Sequence, residues 1–134
     1  MTNPTLTYYE NGDVQYEAYY LNDKRHREDG PADISYYENG NVERETYYLN
    51  GKAHREDGPA VIYYDENGNI IHEGYWLNGK KHREEGPAYI RYDENGNILL
   101  EEYWLNDEEM SYGEWMIATA KINEEKMIRI LQYT

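Results

Sequence analysis

Three histidines, His26, His54 and His82, stand 28 residues apart, and each opens the same block of Arg, Glu, a second acid and Gly-Pro-Ala. Histidine is the commonest metal ligand, so a shared ion is the first chemistry to weigh. In a sheet of two-stranded units, equivalent residues of neighbouring units lie two strand spacings apart, roughly 10 Å. The ligand nitrogens of a zinc ion lie within ~2.1 Å of it. The three rings therefore cannot meet on one ion, and each is read as a turn histidine bonded to backbone or to Tyr. No metal and no other cofactor is expected. Nucleophilic catalysis finds little material, because the chain has no Cys and its serines are Ser35 and Ser111 alone. The 27 Asp and Glu residues supply carboxylates everywhere without setting one pair apart for acid–base work. Neither GxxxxGK[ST] nor GxGxxG occurs. The reading is non-catalytic, with a glycan-acting enzyme as the least favoured alternative.

The histidine spacing belongs to a longer pattern. Asn11-Gly12, Asn39-Gly40, Asn67-Gly68 and Asn95-Gly96 keep the same 28-residue interval without insertion, the signature of a repeat array. Residues 1–106 are read as four β repeats, the first and last incomplete, and residues 107–134 as a C-terminal α-helical cap. Each unit runs strand, Asn-Gly turn, strand, Asn-Gly or Asn-Asp turn, and a return through the Gly-Pro-Ala step. Asn-Gly suits a type I′ turn, which needs φ > 0 at both central residues. In the first strand Ala32, Ile34 and Tyr36 share one face, as do Ala60, Ile62 and Tyr64, then Ala88, Ile90 and Tyr92. That face is expected to be buried. Alternation in the second strand groups Val14, Val42, Ile70 and Ile98 with Tyr20, Tyr48, Trp76 and Trp104. The other series joins Glu17, Glu45, Glu73 and Glu101 to Tyr19, Tyr47, Tyr75 and Tyr103. A stacked Glu ladder would repel itself, so Arg27, Arg55 and Arg83 are expected to pair with it. The acid before each Gly-Pro is expected to accept turn N–H bonds.

Composition narrows the fold and the partners. A net charge of −14 and a chain without Phe would suit disorder, but 17 Tyr and 3 Trp recur in fixed register, and each aromatic can bury about 150–250 Å². A folded, aromatic-rich array is the result. A pI of about 4.6 disfavours nucleic-acid backbones and anionic membranes and favours a partner protein with a basic surface. The start of the chain has neither a basic nor an apolar leader segment, and no apolar run approaches the ~20 residues of a membrane span. The expected location is cytoplasmic, in its own or a host cell. After Asn106 the period stops. Ser111 to Glu114 is a capping-box pattern leading into a helix from about residue 112, with Trp115, Ala118 and Ile122 on one face. Asn123 then reads as a new N-cap, opening a second helix or a terminal strand.

The run from Glu73 to Gly86, with its Tyr75-Trp76, Asn78-Gly79-Lys80 and His82, resembles a MORN repeat. It departs from that pattern in carrying Arg83 where Gly usually follows the His, and in its longer period. Closer likeness is to the divergent MORN-like repeats of bacterial, phage and giant-virus proteins, YwqK-type antitoxins among them. The resemblance covers residues 5 to about 106. It implies stacked antiparallel β-hairpins in an elongated sheet and use as a scaffold or binding module, with no catalytic residue to carry over.

Positions where the units disagree are the candidates for binding. Opposite the Ala/Ile/Tyr face the first strands read Asp33, Ser35, Tyr37, then Val61, Tyr63, Asp65, then Tyr89, Arg91, Asp93. Tyr37, Tyr63, Tyr89 and Arg91 are of the types enriched at hot spots and are taken as the candidate binding residues. Protein–protein interaction is the leading reading, of the kind a bacterial antitoxin or a viral inhibitor of a host factor would use. Sequestration of a small ligand or nucleotide is the alternative. The strand over residues 5–9 has no Lys to guard its edge, which predicts a homodimer through that edge.

Overall fold

The structure, a computed structural model, describes residues 3–133. Met1 and Thr2, which carry part of the leader reading, and Thr134 at the end of the expected cap lie outside the described residues. The chain folds as a mainly β array of antiparallel hairpins closed by one C-terminal helix. Each unit lays two strands into the main sheet: β1 (Thr5–Tyr8) and β2 (Val14–Ala18), β5 (Asp33–Tyr36) and β6 (Val42–Thr46), β9 (Val61–Tyr64) and β10 (Ile70–Gly74), β13 (Tyr89–Tyr92) and β14 (Ile98–Leu105). Between hairpins the chain makes a short ribbon: β3 (Tyr20–Leu21) with β4 (Lys24–Arg25), β7 (Tyr48–Leu49) with β8 (Lys52–Ala53), and β11 (Trp76–Leu77) with β12 (Lys80–Lys81). The fourth ribbon is the end of β14 with β15 (Glu108–Met110), which lengthens the sheet to the order β1-β2-β5-β6-β9-β10-β13-β14-β15.

The two Asn-Gly series do different work. At the ribbon tips, Asn50 and Gly51 (φ 51° and 80°) and Asn78 and Gly79 (φ 51° and 80°) both sit left-handed, as a type I′ turn requires. At the hairpin tips Gly40 has a positive φ of 89° and Asn39 does not. There Gly40 N–H donates to the Tyr37 carbonyl, and Tyr37 N–H to that of Asn41. This is a three-residue loop with Gly in the left-handed bulge position, so the type I′ expectation fails at these four tips. The register then slips by one residue, with Tyr36 facing Val42 and Ser35 facing Arg44. The extra residue turns Val42 onto the face of Glu45, away from the Tyr48 side that strict alternation assigns it.

One face of the sheet is regular and closed. Across the strands run Leu6, Glu17, Ile34, Glu45, Ile62, Glu73, Ile90 and Glu101, each opposite the next. Ala32, Ala60 and Ala88 beside this row are wholly inaccessible, and Ile34, Ile62 and Ile90 are buried. The expected Arg–Glu pairing is not what closes it. Tyr36, Tyr64 and Tyr92 hydroxyls donate to Glu17, Glu45 and Glu73, at 2.6 Å for Tyr64 and 2.5 Å for Tyr92. Arg27, Arg55 and Arg83 instead lie over the rings of Tyr19, Tyr47 and Tyr75, 4.1, 4.1 and 3.9 Å from the centroids. A phenol reaches the carboxylate with fewer side-chain torsions to order than an arginine, and each guanidinium donates to the Pro31, Pro59 or Pro87 carbonyl. The acids Asp29 and Asp57 accept from the Arg27 and Arg55 side chains, at 2.9 and 3.1 Å, and the Asp29 carboxylate also meets its own backbone N–H. His26, His54 and His82 join units: each Nδ1 accepts the backbone N–H of Asn50, Asn78 or Asn106 in the following ribbon tip.

The helix α1 (Tyr112–Gln132) begins where its capping box places it, with Ser111 Oγ accepting from Glu114 N and the Glu114 carboxylate accepting from Ser111 N. Trp115 and Thr119 are buried against the last unit. Trp115 packs on Tyr103 at 4.9 Å between centroids and donates its indole N–H to the Arg83 carbonyl, while Lys126 pairs with Glu84 at 2.6 Å. Asn123 does not start a second element; it lies mid-helix in an uninterrupted run, because the flanking Lys121-Ile122 and Glu124-Glu125 are strong enough helix formers to carry it. Among the described residues no helix is long and apolar enough to cross a membrane.

Candidate functional site

The opposite face of the sheet carries the other parity of every strand. Its two rows read Ala18, Asp33, Thr46, Val61, Gly74, Tyr89, Glu102 and Tyr16, Ser35, Arg44, Tyr63, His72, Arg91, Leu100. The ribbons bend over this face, bringing Tyr48, Trp76, Arg25 and Lys81 above the strands, and the space enclosed is a groove of about 740 Å³. Its middle is emptied: on the sheet Gly74 stands where other units have Ala18, Thr46 and Glu102, and in the ribbon Ala53 stands where they have Arg25, Lys81 and Glu109. A Cβ on Gly74 would lie 3.2 Å from Trp76 Nε1, so the glycine also lets the larger indole settle where Tyr48 serves one unit earlier.

At one end Asp33, only 3% exposed, gathers its partners. It accepts from the Tyr16 hydroxyl at 2.7 Å and from Arg44 at 3.3 Å, and lies 3.1 Å from Arg25 Nε. A buried carboxylate is stable only when paired in this way. In the centre, His72 Nδ1 and the Tyr89 hydroxyl are 2.5 Å apart, and the Tyr63 ring meets His72 edge-on at 5.5 Å. Burial, then the nearby Arg91 charge, lowers the His72 pKa below its usual value and so favours the neutral ring. Beyond it the Lys81 ammonium lies 4.6 Å from the Trp104 centroid, 5.4 Å from Tyr89 and 5.7 Å from Trp76. This is an aromatic surface with fixed cations, suited to holding a ligand. Among the described residues no group of His, Asp and Glu side chains could hold a metal ion.

Of the four residues singled out from the sequence, Tyr63 and Tyr89 line the groove. Arg91 is on the same face, exposed and opposite His72, just outside the lining. Tyr37 stands apart. The strand ends at Tyr36, and Tyr37 belongs to the hairpin tip, where its hydroxyl donates to the Tyr64 carbonyl at 2.7 Å as that of Tyr9 does to Tyr36. Tyr37 therefore lies at the hairpin tips, outside the groove lining. Sequence reasoning missed Arg25, Arg44, His72, Gly74, Trp76 and Lys81. The signal was present: the same disagreement between units, sought in the first strand, also occurs at 16/44/72/100, 18/46/74/102 and 25/53/81.

A family model for the MORN repeat variant matches residues 2–22, 34–52, 60–78 and 88–106, together more than half of the chain. The chain belongs to this MORN repeat family. Each match runs through both sheet strands of one unit to its ribbon tip and covers positions of both faces. MORN repeats are a non-enzymatic type, generally associated with binding and interaction. No curated protein and no solved structure is significantly similar to the chain.

Proposed function

We propose that this MORN-type array is a protein-binding module whose contact surface is the groove on the variable face. The observation that carries the reading is the confinement of sequence variation. Units that repeat side chain for side chain on the closed face differ at nearly every position of the groove face. Packing that merely had to be filled would repeat as the opposite face does. Aromatics and Arg in a preformed concave surface are the components of binding hot spots. Antitoxin-like or viral inhibition of a target protein is one use of such a surface, and it makes the same demand on the groove. A photo-crosslinking residue in place of Tyr63 should capture a partner from native lysate that the same residue in place of Glu94, at a hairpin tip, does not. Equal capture from both positions rejects the groove as the contact surface.

A second reading, a small aromatic ligand, is favoured by the groove volume, which lies within the roughly 300–1,000 Å³ of small-molecule pockets. A ligand-dependent rise in melting temperature would support it. Self-association through β1 is a separate proposal, supported by the exposure of all four of its residues at the sheet edge. Light scattering should show a dimer that Thr7→Pro dissociates; a monomer throughout rejects it.

A further inference from the structure

The groove reverses the charge of the chain that carries it. The protein has 27 acids against 13 Lys and Arg, yet the charged groups lining the groove are Arg25, Arg44 and Lys81 against Asp33 alone. Asp33 is already held by both guanidinium groups, which leaves one net positive charge at that end. The Lys81 ammonium forms no salt bridge among the described residues and lies against ring faces, while the one carboxylate beside those rings on this face, Glu102, is engaged by the Trp104 indole N–H at 3.3 Å. A ring attracts the ammonium but accepts its hydrogen bonds poorly, so its N–H donors stay available. The two cationic ends are separated by the emptied middle over Val61, Gly74 and Ala53. From β5 to β13 the sheet crosses four strand intervals, about 19 Å, which an extended chain rising ~3.3 Å per residue covers in about six residues.

Resting on the reading of the groove as the binding surface, we infer that its occupant is an extended acidic segment of another protein. One carboxylate binds Lys81, a second meets Arg25 and Arg44, and an apolar or aromatic side chain between them lies over Val61 and Gly74. One net positive charge at each end suits single carboxylates spaced along a chain. Phosphate recognition instead gathers several donors at one point. A longer polyanion such as RNA would leave the groove and cross a protein surface of net charge −14, where repulsion accumulates with each phosphate. At the groove, therefore, the partner is the opposite of the basic one that net charge alone suggests.

The intact chain can be titrated against fluorescein-labelled hexapeptides, read by anisotropy. One has two acidic residues at each end and Leu-Phe between; its counterparts replace the acids with Gln and Asn, or with Lys, and hexauridylate is the nucleic-acid probe. The acidic peptide should bind at least about tenfold more tightly than the other probes and weaken with added salt. Lys81→Gln should lower its affinity about tenfold with melting unchanged, and Lys81→Arg should restore most of it. Ala53→Trp, which fills the middle of the groove from the ribbon side, and Tyr63→Glu, which adds an acid at an exposed position, should each abolish binding. If the acidic peptide binds and neither variant matters, the groove is not the surface and both readings fail. If the Lys peptide or hexauridylate is preferred and both variants block it, the groove stands and the acidic segment is overturned. No binding of the acidic peptide at millimolar concentration also overturns it.

Discussion

The two faces of one sheet are made by the same strands and follow different rules. On the closed face a position holds one residue type through the array: Ile34, Ile62 and Ile90; Glu17, Glu45, Glu73 and Glu101; Tyr36, Tyr64 and Tyr92. On the groove face the neighbouring positions hold Asp33, Val61 and Tyr89, or Tyr16, Arg44, His72 and Leu100. The difference follows from where each side chain finds its partner. Ile62 lies between Glu45 of its predecessor and Glu73 of its own unit, and Tyr64 reaches back to Glu45, so changing one unit damages two. Stacked repeats enforce their own regularity through such nearest-neighbour contacts. Groove side chains form local clusters, Asp33 with its arginines and His72 with its tyrosines, which need no copy in the next unit and are free to be fitted to something else.

The strongest way to break this comparison uses two residues adjacent in β9. Ile62→Ala removes a buried side chain from the closed face and should cost about 2–5 kcal/mol in chemical denaturation. A cost below that of Tyr63→Ala would exchange the roles of the faces. Arg55→Ala comes next. It deletes the guanidinium over Tyr47 together with its bonds to Asp57 and the Pro59 carbonyl, and should cost about 1.5–3 kcal/mol. Because each Arg acts within the regular lattice, Arg27→Ala and Arg83→Ala should behave alike.

Alkaline pH probes the same lattice. Burial, reinforced by the bonded glutamate, raises the phenol pKa of Tyr36 and Tyr64, and pushes that of Tyr92 to about 12. Below the unfolded value of about 10 these phenols are protonated in both states, and this contribution to stability is constant. Above it the unfolded chain releases protons that the folded chain retains, so stability falls as pH rises from about 10 toward 12. Tyr64→Phe removes one titrating phenol and should make the fall shallower. An unchanged slope would remove the Tyr–Glu ladder from the account of the closed face.

How much of this was legible in the sequence follows the same division. The array, the buried Ala/Ile/Tyr series, the ribbon-tip turns and the capping box at Ser111 rest on local chemistry and period, and both survive in one dimension. The bulge after each hairpin tip was not legible, because Asn-Gly fits either loop and the choice depends on how sheet register accommodates residue 43. For the same reason the spacing leaves the partner of Arg55 open: Glu45, Tyr64 and Tyr47 all recur with it at 28 residues, and periodicity gives no direction in which a side chain points. Most of the candidate site lies in the second strands and ribbons, where regular Glu and Tyr series mask the irregular positions between them.

The smallest effect on stability is expected at the margin of the groove. Arg91 is exposed on the groove face, opposite His72 and Leu100, and no repeated contact depends on it; Arg91→Ala should change stability by no more than about 0.5 kcal/mol. Its charge helps hold the His72 pKa down. Removing it should raise that pKa toward the ordinary value, a shift that proton NMR of the imidazole can follow. This separates a surface merely exposed to water from one electrostatically organised, since a residue without influence on the groove would leave His72 where it was. A stability loss comparable to that of Arg55→Ala would show that the groove face also carries the fold, and the contrast between the two faces would not hold.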